Sequence, residues 1–333
     1  MICKQCKKEY NENDMQGKGK IYCINCFNKR NAFVSGRKYK LAMLKSMPLN
    51  FKIIKSKQLI QEAIDRYGQD YIYVSYSGGK DSTVLSHLAR DIHPNILHIF
   101  SNTTCEYPET LKQIKWEKEK NGMNLLIATP TDKYGERWNF KRVVEQEGFP
   151  MFTKEVANAI RTYRRAKSEK TRQNSIEYLT RRFKRFLRYK DYNISDRCCE
   201  KLKKAPIKKL AKQLKMECTL IGTLSEESRQ REMDWINYGC NVFEVKKDNQ
   251  CRPLSFWTEQ DIYDYIELYN IKISSLYEMG YSRNGCMFCG FGIEYDIEQG
   301  KNRYERLAET HPNSYNYMIK HFKDILVKCN IKY

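Results

Sequence analysis

The sequence predicts an α/β fold: a parallel sheet with helices on both faces, a basic helical insertion and a small metal-stapled module at the N-terminus. Three observations predict it. Short β-rich runs alternate with helical stripes from residue 71 onwards. Residues 154–215 hold 21 Lys and Arg against 6 Asp and Glu, a net of +15. Two Cys-x-x-Cys pairs stand within residues 1–30, with almost no core residues beside them.

The elements follow in order. Residues 1–30 form the cysteine module, and the basic stretch 31–55 reads as a connector, partly helical, ending near Pro48. Leu59, Ile60, Ala63 and Ile64 put an apolar stripe on a helix over 56–67. Residues 71–76 read as a strand, 82–91 as a helix with Val84, Leu85 and Leu88 inward, and 96–100 as a second strand. A helix over 108–121 has Pro108 in its first turn and Gly122 just past its end. Residues 125–128 and 219–222 are the third and fourth strands. Two helices over 154–190 interrupt the alternation, with Ile176, Leu179, Phe183, Phe186 and Leu187 on one face. Thr258 and Asp261 resemble a capping box before Ile262, Tyr265, Ile266 and Tyr269. The main α/β domain is expected over 56–295, and 296–333 as a helical tail.

Composition bounds the function. With 41% hydrophobic residues the chain can bury a core, which excludes global disorder. A net charge of +20 points to a polyanionic partner or, alternatively, to a lysine-rich codon bias. No apolar run approaches the roughly 18 residues of a membrane span. The N-terminus has no apolar signal core, so a cytoplasmic protein without a membrane partner is expected. In a reducing compartment, thirteen cysteines are metal ligands before they are disulfides.

Ser75-Tyr76-Ser77-Gly78-Gly79-Lys80-Asp81-Ser82 follows a strand and opens a helix. Gly78 and Gly79 let the backbone turn sharply and bring N–H groups to an anion, and the helix N-terminus adds partial positive charge. Lys80 supplies a cation, Ser77 and Ser82 hydroxyls, and Asp81 a carboxylate for Mg2+ or for fixing the loop. The bland alternative is a tight Gly-Gly turn. The spacing is not that of Walker A. It resembles the PP-loop, S-G-G-x-D-S, of Rossmann-like enzymes that split ATP between its α- and β-phosphates or bind adenylyl sulfates.

Other segments resemble the phosphoadenosine phosphosulfate (PAPS) and adenylyl-sulfate reductase family. Asn102-Thr103-Thr104-Cys105-Glu106-Tyr107-Pro108-Glu109-Thr110 is similar to D-T-G-x-E-x-P-E-T, with Asn102 in place of Asp and Thr104 in place of Gly. Gly222 to Arg231 resembles a nucleotide-contacting loop, and Arg252-Pro253-Leu254-Ser255-Phe256-Trp257-Thr258 the R/K-P-L-x-x-W-T entry to a late helix. The resemblance implies that ATP, adenylyl sulfate or PAPS meets Ser75, Ser77, Gly78, Gly79, Lys80, Asp81, Ser82, Asn102, Thr103, Glu109, Gly222, Arg229 and Arg231. Lys80 and Asp81 would be catalytic.

The cysteines form two sets. Cys3-x2-Cys6-x16-Cys23-x2-Cys26 has zinc-ribbon spacing, with an iron–sulfur site or an unmetallated arm as alternatives. Cys198-Cys199 followed by Cys286-x2-Cys289 is awkward for one zinc ion or a disulfide, whereas a cubane offers four separate iron corners. This pattern resembles the [4Fe–4S] site of assimilatory adenylyl-sulfate reductases, with zinc or free thiols as the other readings.

The resemblance fails at one place. Those reductases carry a C-terminal nucleophilic cysteine in an E-C-G-L-H context, whereas this tail offers only Cys329 between Lys328 and Asn330. The leading expectation is therefore ATP-dependent sulfur transfer onto DNA or RNA, with motifs nearest the DNA-phosphorothioation branch. A sulfur-donor or reductant protein and self-association are compatible partners. The competing expectations are a sulfonucleotide reductase using Cys329, and a non-catalytic nucleic-acid-binding regulator.

Overall fold

A computed structural model describes residues 1–17, 19–245, 248–296 and 300–333, with side chains at all of these except 185 and 186. The expected inward Phe186 thus lies outside the described residues. The class is mixed α/β, a mainly parallel sheet flanked by helices. The chain gathers into two compact units, each discontinuous in sequence: Met1–Val74, Val84–Pro94 and Glu217–Lys272 form the first, Ser75–Thr83, Asn95–Met216 and Ile273–Tyr333 the second.

In the first unit, two-residue strands Met15–Gln16 and Tyr22–Cys23 pair antiparallel beneath the cysteines. The helix Ile24–Ser46 follows and stops before Met47-Pro48, because proline holds its predecessor in extended backbone. The next helix, Leu49–Tyr67, buries the expected Leu59, Ile60 and Ala63. Strand Ile72–Ser75 pairs in parallel with Cys218–Leu220, and that strand with Asn249–Cys251. Asn241–Val242 adds an antiparallel edge. The Thr258–Asp261 capping box opens the helix Glu259–Leu268, as expected. Asp261 also takes the ammonium of buried Lys52 at 2.6 Å, which welds this helix start to Leu49–Tyr67.

In the second unit, Leu97–Ser101 pairs in parallel with Leu125–Ala128. The helix Pro108–Glu119 carries Pro108 in its first turn, and Gly122 adopts φ +64° beyond it. The basic insertion forms Lys154–Arg165 and Glu169–Arg182. The second of these stops at Phe183, φ −143°, so Leu187 falls in a following 3-10 turn and not on the same helix. Two short strands, Met151–Phe152 and Gly290–Phe291, pair in parallel. Two further helices follow, Arg303–Thr310 and Pro312–Lys328. Phe140, Phe149, Phe288 and Phe322 meet in the aromatic core of this second unit. No helix among the described residues is long and apolar enough to cross a membrane.

Candidate nucleotide and metal sites

The phosphate loop lies wholly in the second unit. Ser75 ends its strand, and Tyr76 donates its N–H to Ile99 O at 3.0 Å. Gly78 sits at φ +73°, where a Cβ would stand 3.0 Å from Thr110 Cγ2 and 3.2 Å from Ile114. Only glycine combines that conformation with that approach. Ser77 Oγ and Ser82 Oγ lie 3.0 Å apart, and Ser82 and Thr83 both donate to Gly79 O. Lys80 opens the helix Lys80–Ile92 and is buried, its Nζ 3.5 Å from Ser282 O and 3.8 Å from Asp81 Oδ1. Loop, lysine and helix start thus share one small volume, an arrangement suited to an anion.

Two residues absent from the sequence-based expectations seat themselves on this loop. Tyr277 OH accepts the Lys80 N–H at 2.8 Å, and its ring lies 5.6 Å from Lys80 Nζ. Asn284 donates to Ser77 O at 3.2 Å and accepts from Thr110 Oγ1 at 2.8 Å. The only local signal was the Asn284-Gly285 turn dipeptide, which does not identify a partner.

The segment after the second strand turns on Asn102, whose Oδ1 accepts the Thr104 N–H at 3.0 Å. Thr104 adopts φ +67°. Thr103 donates to Glu106 Oε1 from both its hydroxyl, at 2.6 Å, and its amide, at 3.1 Å. Its Oγ1 also lies 3.8 Å from Cys286 Sγ. Glu106 is a buried carboxylate that the expectations missed. Glu109 is engaged elsewhere: its Oε2 meets His311 Nε2 at 2.9 Å. Burial pushes the Glu109 carboxyl up, but His311 and the local amide outweigh it and leave the group below its usual range.

The four ribbon cysteines converge, with ligand atoms within 4.8 Å of one another. Burial opposes ionisation of Cys3, yet the amides of Cys23, Cys6 and Gln5 outweigh it and lower the thiol to about 6. Four thiols at that spacing fit one tetrahedral zinc ion.

The second set is looser; among the described residues it does not contract to the spacing of the ribbon. Cys198 and Cys199 have sulfurs 4.0 Å apart and stand at the mouth of a π-turn, Glu200–Lys204. Cys289 N–H bonds Cys286 O at 3.1 Å, and Arg303 donates to Cys289 O at 3.1 Å. The Cys198 thiol lowers that of Cys199 to about 6, against burial and with help from Lys154, Lys203 and Lys204. The Cys286 sulfur is the largest influence raising the Lys203 ammonium. Burial, with Cys286 and Cys199 adding to it, raises Cys289 to about 11. The four sulfurs thus share one electrostatic neighbourhood ringed by cations. Cysteines so placed, with cations beside them, could hold metal.

Gly222, Arg229 and Arg231 fall in the first unit. There Ser228 caps the helix Arg229–Tyr238 through the Arg231 amide, and Glu227 pairs with the Arg231 guanidinium. In the basic insertion, Arg161 pairs with Asp196 at 2.7 Å, while Arg165 and Lys201 share Glu147. Arg181 and Arg182 are exposed. Tyr189 is buried and Tyr178, Phe183 and Tyr192 pack against the core, so these aromatics serve the interior. Cys329 is also interior, and burial pushes its thiol up to about 12.

The chain matches the family described as the phosphoadenosine phosphosulfate reductase domain over residues 71–154 and 138–290. It is 24% identical over 236 residues to an uncharacterized protein of Methanocaldococcus jannaschii, covering 71% of this chain and 45% of that one. The chain therefore spans less than half the length of the curated relative it matches. Among solved structures, PAPS reductase from Candida auris, a phosphate complex, is 13% identical with TM-score 0.45, covering 75% of this chain and 93% of its own. The U34-tRNA thiolase of Methanococcus maripaludis with its [4Fe–4S] cluster is 16% identical with TM-score 0.39, covering 98% and 88%.

Proposed function

The chain belongs to the phosphoadenosine phosphosulfate reductase domain family, and on that premise we propose that it is an ATP-dependent sulfur-transfer enzyme acting on a nucleic acid. One observation carries the reading. The phosphate loop and the second cysteine set occupy the same compact unit, and Asn284, bonded to the loop at Ser77 O, stands two residues before Cys286. Thr103 Oγ1 lies 3.8 Å from Cys286 Sγ. Activation and sulfur handling would thus take place in one unit.

The substrate oxygen attacks the α-phosphorus of ATP, pyrophosphate leaves, and the oxygen is adenylated. A sulfur nucleophile then replaces that oxygen, which departs with AMP. Lys80 and the loop amides neutralise phosphate charge, once Tyr277 OH yields the Lys80 N–H. Asp81 is placed to hold Mg2+. A [4Fe–4S] cluster on Cys198, Cys199, Cys286 and Cys289 would supply iron sites that hold sulfur. Zinc on Cys3, Cys6, Cys23 and Cys26 would be structural. Exposed Arg181 and Arg182 would help grip the phosphate backbone of DNA or RNA.

The family match favours a second reading, reductive cleavage of adenylyl sulfate. It needs an accessible thiolate, and buried Cys329 is a poor one.

Anaerobically purified protein should hold about one zinc and four irons per chain. It should release AMP and pyrophosphate from ATP, and bind nucleic acid with an affinity that falls steeply with salt. Sulfite release from adenylyl sulfate, without ATP cleavage, would replace this reading by the second.

A further inference from the structure

The helix Ile24–Ser46 carries six Lys and Arg and no Asp or Glu. It is held at its two ends. At the start, Cys26 belongs to the ribbon cysteines. Toward the end, Leu41 and Leu44 are buried, Arg37 donates to Ile236 O at 3.0 Å and to Trp235 O at 3.1 Å, and Lys45 pairs with Glu226 at 3.5 Å. Between these anchors, over residues 28–40, no residue is buried, and only Val34 and Arg37 are half-buried. Helices in proteins owe most of their stability to packing one face, so a basic stretch of about 20 Å without a covered face is unusual unless a partner covers it.

The distribution of side chains describes that partner. At about 3.6 residues per turn, the face turned away from Arg37, Leu41 and Leu44 holds Asn28, Asn31, Ala32, Ser35, Gly36 and Tyr39. Lys29 and Lys40 run along one edge of this face, and Lys38 along the other. Gly36 adds a separate sign. Glycine within a helix is destabilising relative to alanine. A Cβ added there would meet nothing within 4 Å, so no packing inside the chain requires glycine. Its place fits a surface that approaches the helix backbone closely.

We propose that this face enters the major groove of duplex DNA, with Lys29 and Lys40 on the phosphates of one strand, Lys38 on those of the other, and the Asn28 and Asn31 amides at base edges. Charge complementarity selects a polyanion, and cations on both edges select one that walls the helix on two sides. The B-form major groove, about 12 Å wide, admits a helix of about 10–12 Å diameter. The deep, narrow major groove of A-form RNA does not. The inference rests on the nucleic-acid reading above and narrows it to DNA.

The test is fluorescence anisotropy of the full chain with a labelled DNA duplex of about two helical turns, and with the RNA duplex of the same sequence, over a range of sodium chloride concentrations. The wild type should prefer DNA by about tenfold or more. Gly36→Leu, whose added side chain meets nothing in the free chain, should weaken DNA binding by about tenfold or more without lowering the thermal midpoint. Lys29→Gln, Lys38→Gln and Lys40→Gln together should reduce the slope of log affinity against log salt by about three. Unchanged affinity in a folded Gly36→Leu protein overturns groove insertion. So does an unchanged slope in the triple lysine variant, whose exposed side chains make it decisive even where Gly36→Leu does not fold; in both cases DNA binding through other surfaces leaves the nucleic-acid reading standing. RNA bound as tightly as DNA, and equally sensitive to these changes, also overturns the groove. No binding of either duplex at low salt overturns this inference and that reading together.

Discussion

The two cysteine sets solve different problems with the same side chain. Cys3, Cys6, Cys23 and Cys26 lie close in sequence and meet within 4.8 Å, held by little more than two-residue strands and the start of one helix. Cys198 and Cys199 are separated from Cys286 and Cys289 by 86 residues. They stand against an extensive apolar core and beneath Lys154, Lys203, Lys204 and Arg303. The first geometry can be imposed by a metal ion on a short segment, because ion binding supplies folding free energy. The second needs the finished fold, which sets both spacing and charge before any metal arrives.

The largest expected effect breaks that comparison cleanly. Cys23→Ser should abolish zinc and unfold the N-terminal module, while iron content and ATP cleavage persist. Cys286→Ser should abolish iron and sulfur transfer, while zinc stays near one per chain. Metal analysis of both variants, purified anaerobically, decides it. Loss of both metals from either single substitution would show that the two sites are not independent.

A smaller effect concerns Thr104. Its φ of +67° places a β-branched residue in left-handed backbone, where the family motif carries glycine. Thr104→Gly should therefore stabilise the protein by about 1 kcal/mol, the relief of backbone strain exceeding the extra entropy of an unfolded glycine. Thermal denaturation reads it directly. A lowered midpoint would mean that Thr104 makes contacts worth more than the strain.

Thr104 also shows what could be read from sequence. Its departure from the motif was visible, but the reason glycine belongs there required the backbone angle. Local features were legible: the strand–loop–helix around Lys80, the Thr258–Asp261 box and Pro108 in its first turn all follow from neighbours within a few residues. Long-range pairings were not. Tyr277 and Asn284 reach Lys80 and Ser77 across about two hundred residues, and Glu109 meets His311 across a similar span. Hydrophobic period reports which face is inward, not which polar partner waits there. The aromatic residues of the insertion show the same limit: that Tyr189 is buried in the core was not legible from its neighbours.

The smallest expected effect belongs to Cys329, and it sharpens the contrast between cysteines with chemistry and cysteines without. A reductase of adenylyl sulfate needs a thiolate that attacks sulfur and then leaves in a disulfide. The Cys198 thiol and nearby lysines hold Cys199 below the usual thiol range, whereas burial holds Cys329 above it, against ionisation. Its neighbours are core residues: Ile331 and Leu326 are buried with it, and Tyr189 OH donates to its carbonyl. To react, the tail would have to leave the core and expose those side chains. Cys329→Ala should therefore leave iron, zinc and ATP cleavage unchanged, at a stability cost of about 1 kcal/mol for the small void left by sulfur. Labelled sulfite released by the wild type from adenylyl sulfate, and lost in Cys329→Ala with iron intact, would place Cys329 among the reactive cysteines and turn the function to reduction.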